Sequence, residues 1–86
     1  MRAADLLCEY GYEDVVIFDN PSFDEAFIGV TEDNRAVYDY DRMADSLAVS
    51  WGVSREEAIE FIDYNTIRAL AYWENAPVVM YRISQP

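Results

Sequence analysis

At 86 residues with one cysteine, no histidine and no lysine, the chain is a single short domain over 1–86. An internal disulfide, a histidine-assisted nucleophile, an imidazole metal site and Schiff-base chemistry are all excluded. Seventeen Asp and Glu stand against six arginines, a formal net charge of −11 that repels nucleic acid phosphates and anionic membranes.

Ala3 to Tyr10 reads as a short helix, with Leu6, Leu7 and Tyr10 at helical spacing and Gly11 placed to end it in a left-handed cap. Its opening MRAADLLCEY carries acids and no apolar signal core, and no apolar run approaches the roughly 18 residues of a membrane span, so a cytoplasmic protein is expected. Val15–Phe18 is β-branched, closes on the turn-forming Asp19-Asn20-Pro21-Ser22, and predicts a first strand. Ala26–Val30 and Arg35–Asp39 predict a hairpin through Thr31–Asn34, with Asn34 suited to a positive φ.

The period then changes. Met43, Leu47 and Trp51 are four apart with Ala44 and Ala48 beside them, which makes an amphipathic helix capped by Asp39 or Asp41 and ended by Gly52. Ser54-Arg55-Glu56-Glu57 is a capping box that opens a second helix through Ala58, Phe61 and Ile62. Ala76-Pro77 stops the helical region, and Val78–Ile83 predicts a last strand. The expected fold is α+β, in the order α-βββ-αα-β: a small, mainly antiparallel sheet of about four strands with an αα-hairpin on one face.

Four chemistries compete for these residues. Arg42–Ile62 has the outline of a helix-turn-helix, but its second helix sets Glu56, Glu57, Glu60 and Asp63 against Arg55 alone, the wrong sign for a DNA groove. Asp39-Tyr40-Asp41 with Asp45 could cap a helix or hold a hard cation, though the spacing matches no calcium loop. Paired carboxylates need a concave pocket that so small a domain has little volume to form, and Cys8 has no basic neighbour to activate it, so no enzyme and no cofactor are expected. The remaining chemistry is binding. Glu56, Glu60 and Asp63 fall within about 60° on one helix face, opposite Ala58, Phe61 and Ile62. Asp41 and Asp45 form an i, i+4 pair of like charge, and Glu32 and Asp33 sit in the hairpin. These seven acids are the candidate partner-binding residues, and surface tyrosines would add contact area. Trp51, Phe61 and Phe27 are expected in the core, with Cys8 buried on its helix, whereas Tyr10, Tyr12, Tyr38, Tyr40, Tyr64, Tyr72 and Trp73 exceed what the core needs.

Gly11-Tyr12-Glu13-Asp14-Val15-Val16, Ile28-Gly29-Val30, Val37-Tyr38-Asp39-Tyr40-Asp41, Glu57 through Leu70 and Ala76-Pro77 together resemble small acidic proteins of phages and mobile elements of gut bacteria. The resemblance spans Tyr10 through Ile83 and carries no residue roles. It implies an anti-CRISPR-like context, in which an acidic protein inhibits a host defence complex by occupying its basic, nucleic-acid-binding surface. The expected partner is then a nuclease or similar complex, bound without direct nucleic acid or membrane contact, by a monomer or weak homodimer. A protein-interaction module, homodimeric through an edge strand, is the alternative, and a helix-turn-helix regulator the third.

Overall fold

The computed structural model describes residues 2–83. Helix α1 spans Ala3–Glu9 and ends as the glycine predicts. Gly11 takes φ 84°, its N–H bonds the Cys8 carbonyl at 3.2 Å, and the Tyr12 N–H reaches back to Leu7 at 2.8 Å. That pair of bonds is a Schellman cap. The amide of Ala3 donates to Asp24 Oδ1 at 2.9 Å, tying the helix start to a short 3₁₀ turn at Asp24–Ala26.

Strand β1 (Phe27–Val30) pairs antiparallel with β2 (Ala36–Asp39). The register steps from Phe27↔Tyr38 to Gly29↔Val37, leaving Ile28 as a bulge. The hairpin closes on Asn34 at φ 63°, with the Arg35 N–H donating to Thr31 Oγ1 at 3.0 Å. Helix α2 (Tyr40–Trp51) follows β2 without a spacer, and Gly52 at φ 65° turns the chain into α3 (Arg55–Phe61). Ser54 Oγ accepts the Glu57 amide at 3.1 Å, the N-cap bond that the capping box predicts. Beyond Phe61 the helix widens into a π turn at Ile62–Ile67, then tightens into a 3₁₀ turn at Arg68–Tyr72. The Asn65 side-chain amide donates to the Phe61 carbonyl at 3.3 Å. A side chain inserted in the i→i−4 ladder is a physical reason for such a departure from α geometry.

The last strand, β3 (Val78–Met80), lies parallel to β2, so the sheet is three-stranded, mixed, and ordered β1-β2-β3. Three expectations are corrected here. The sheet has three strands rather than four, because Val15–Phe18 forms no ladder. That segment has no regular secondary structure, and Phe18 is buried, but its N–H goes to the Tyr38 hydroxyl at 3.3 Å instead of to a neighbouring strand. The final strand also stops at Met80 rather than Ile83, and its parallel pairing leaves the sheet mixed rather than mainly antiparallel.

The core forms where Ala36 and Tyr38, on one face of β2, meet Met43, Ala44 and Leu47 of α2, then Ala58 and Ile62. Phe18 and Phe23 close it from the loop side. Phe23 holds a left-handed φ of 52°, unusual for a bulky residue, with its ring buried edge-on to Phe18. Tyr38 is fully buried, although tyrosine content alone marks it as surplus to the core. Trp51, by contrast, is 48% exposed and packs edge-on against a half-buried Phe61 at 4.7 Å. Cys8 is exposed. Among the described residues no helix is long and apolar enough to cross a membrane.

Candidate interaction surface

The buried carboxylate of Asp39 organises one end of the sheet. Asp39 ends β2 and is the N-cap of α2, accepting the amides of Asp41 at 3.0 Å and Arg42 at 3.4 Å. Its second oxygen accepts Arg82 Nε at 2.7 Å, from just beyond β3. The side chain is 3% exposed. Burial pushes its carboxyl pKa up, but Arg82 and the two amides more than offset that and hold it below its ordinary value.

The candidate acids divide into three sets. Glu56 and Glu60 lie on α3, exposed as their helical spacing predicts, with Glu57 beside them. Asp63 is also exposed but sits in the π turn and accepts the Tyr40 hydroxyl at 2.6 Å. Tyr40 in turn stacks on Tyr81 at 4.7 Å between centroids. Burial and then Asp63 push the Tyr40 phenol well above its ordinary pKa, and the Tyr81 phenol rises for the same two reasons.

Asp41 and Asp45 form the second set. Rather than repelling across one helical turn, they share a cation from the next helix. Arg55 Nη2 lies 3.0 Å from Asp41, and its Nε lies 2.8 Å from Asp45. The bond from Asp45, joined by Asp41, raises the guanidinium pKa further. Three carboxylates, Asp39, Asp41 and Asp45, are thus neutralised in part by two arginines. Asp41 and Asp45 are held by Arg55, whereas Asp39 is turned to Arg82 and the amides of Asp41 and Arg42. Among the described residues no three Cys, Asp or Glu side chains are placed to hold a metal ion.

Glu32 and Asp33 are exposed at the hairpin tip, where Asp33 accepts the Thr31 hydroxyl. The tip precedes β2 and α2 follows it, so these acids stand a strand's length, about 13 Å, from the α2 acids. The seven candidate acids therefore do not form one face. The α3 set is the most available, and it borders Tyr64 and Arg68, whose guanidinium sits over the Tyr64 ring at 4.9 Å.

Residue spacing placed the α3 acids but did not anticipate the roles of Arg55, Tyr40 and Arg82. Arg55 has a local signal, since it follows a helix cap and faces the preceding helix of the hairpin. The Tyr40–Asp63 and Asp39–Arg82 contacts join residues 23 and 43 apart, and no periodicity carries them.

The chain matches no protein-family model, no curated protein and no solved structure.

Proposed function

We propose that this protein is a non-catalytic, acidic binding protein that occupies a basic, nucleic-acid-binding surface, with a nuclease complex of a host defence system as the partner class. The observation that carries this reading is the exposed run Glu56, Glu57 and Glu60 on α3, which makes no ion pair with any of the described arginines. The net charge of −11 supplies the long-range field that would steer such an encounter. Asp63 stands at the end of the run with its Tyr40 bond already formed, so it would meet a partner in a fixed orientation.

The test is capture from host lysate at low and high salt, followed by inhibition of nucleic acid cleavage by the captured enzyme. Glu56→Gln with Glu60→Gln and Asp63→Asn should weaken capture by several kcal/mol in total and flatten its salt dependence, with slower association as the main effect. Capture and inhibition by the triple variant equal to those of the parent would overturn the reading. A second reading, a homodimeric interaction module, is favoured by β3, which forms an edge of the sheet. A dimer in light scattering that resists salt would select it.

A further inference from the structure

The opposite edge of the sheet carries a groove that the acidic run does not use. Among the described residues strand β1 pairs only with β2, so its outer backbone edge carries no other described strand. A groove of about 280 Å³ runs along it, between β1 and the end of α1. Leu6, Tyr10 and Tyr12 form one wall, and Ile28, Gly29 and Val30 belong to the other. All of β1 borders the groove. Its walls are exposed apolar surface: Tyr10 is 74%, Ile28 44% and Tyr12 41% exposed.

The segments that supply the groove's lining carry charge of one sign. Asp5, Glu9, Glu13 and Asp14 flank the α1 wall, Glu32 and Asp33 follow β1, and all six are exposed. Neither the 5–14 stretch nor the 27–33 stretch contains an arginine. A second copy pairing β1 to β1 would set these acids against their own kind, and like charges across an interface are costly. An open edge with an apolar wall and a negative rim fits a different occupant.

We infer that the α1–β1 groove takes an extended segment of a partner protein in which apolar and basic residues alternate. The segment would add to β1 as a fourth strand. Backbone hydrogen bonds would come from Val30, beyond the Ile28 bulge: the Thr31 N–H goes to the Arg35 carbonyl, and because successive residues face opposite edges, the Val30 N–H and carbonyl point away from β2 while Gly29 faces it. The apolar side chains would enter the groove, and the arginines or lysines would meet the rim acids. The inference shares the basic character of the partner with the proposed function but stands on separate residues.

Gly29 supplies the test. A Cβ built there meets nothing within 4 Å, so Gly29→Val should fold while filling the groove. The probe is a labelled peptide of alternating valine and arginine, titrated at low salt. Amide shifts on binding should fall in residues 6–12 and 27–31. Gly29→Val should weaken binding about tenfold or more, and Tyr10→Ala, which alters an exposed ring, should weaken it several-fold. A peptide with a central proline should bind less well, because proline cannot complete the ladder. Glu56→Gln with Glu60→Gln should leave this binding unchanged, which separates it from the α3 reading. No binding, equal binding by Gly29→Val, or equal binding by oligoarginine would overturn the inference. Shifts on α3 would overturn it too and return the basic segment to the acidic run. A dimer that Gly29→Val dissociates would assign the groove to a second copy.

Discussion

Two side chains, Asp39 and Tyr38, join elements that are distant in sequence, and both make stability depend on pH. Asp39 has a depressed carboxyl pKa in the folded state. Its contribution is therefore full above the unfolded value, about 3.9, and is lost as pH falls through the lower folded value. Asp39→Asn keeps a competent helix cap but loses the charge pair with Arg82. Urea melts should show a deficit at neutral pH that shrinks once the pH drops below about 4. Asp39→Ala should lose the cap as well, about 1 kcal/mol more. Tyr38 behaves in the opposite sense. Burial, opposed in part by the Phe18 amide and reinforced by Asp24, pushes its phenol up to about 12. The neutral form is favoured in the fold, so its contribution is complete below about pH 10 and is lost as pH rises through about 12. The two units between those values correspond to about 2–3 kcal/mol. An alkaline titration followed by ultraviolet difference absorbance should show Tyr38 ionising together with unfolding. Tyr38→Phe should cost about 1 kcal/mol at neutral pH, because the Phe18 amide loses its acceptor, and should flatten that alkaline loss.

At the scale of elements, what could be read from residue order was what is locally encoded. The caps at Gly11, Asp39, Gly52 and Ser54, the turn at Asn34 and the ββ hairpin all follow from one to four adjacent residues. Val15–Phe18 shows where that information ends. A β-branched run specifies an extended backbone, but a ladder needs a neighbouring strand, and this segment packs by side chains instead. The α3 acids were legible because one helix determines their exposure. Their separation from the hairpin acids was not, since it depends on how β2 is flanked. Met43, Leu47 and Trp51 make the same point within a single stripe. The first two are buried, whereas Trp51, at the last residue of α2, is half exposed and rests on Phe61. Leu47→Ala should therefore destabilise by about 2–5 kcal/mol in chemical denaturation. Trp51→Ala should cost less than a buried aromatic would, which is below about 3 kcal/mol, because half of its surface is wet. Equal costs for the two would mean that α2 docks differently.

For the whole molecule, self-repulsion sets the response to ions. Two arginines soften the charge around Asp39, Asp41 and Asp45, but the excess of −11 remains. Screening falls off over a Debye length of about 10 Å at 0.1 M salt, comparable to the Cα radius of gyration of 12.9 Å. Raising sodium chloride from about 0.01 M to about 0.15 M, where the Debye length shrinks from about 30 Å to about 8 Å, should raise Tm. Removing Glu56 and Glu60 as charges should reduce that gain. A Tm that falls with salt would mean that the ion pairs on α2, α3 and beyond β3 outweigh the repulsion.

The two tryptophans provide separate optical reporters. Trp51 rests on Phe61 at the joint of α2 and α3, and Trp73 faces Phe18 at 6.0 Å, where the Val15–Phe18 segment meets the end of the helical region. Each is partly exposed, so its emission should move to the red when its own neighbourhood opens. Single-tryptophan versions made by Trp51→Phe and Trp73→Phe would watch the helical hairpin and the loop side independently. Coincident transitions from both would mean that the unpaired segment at Val15–Phe18 melts with the sheet as one cooperative unit.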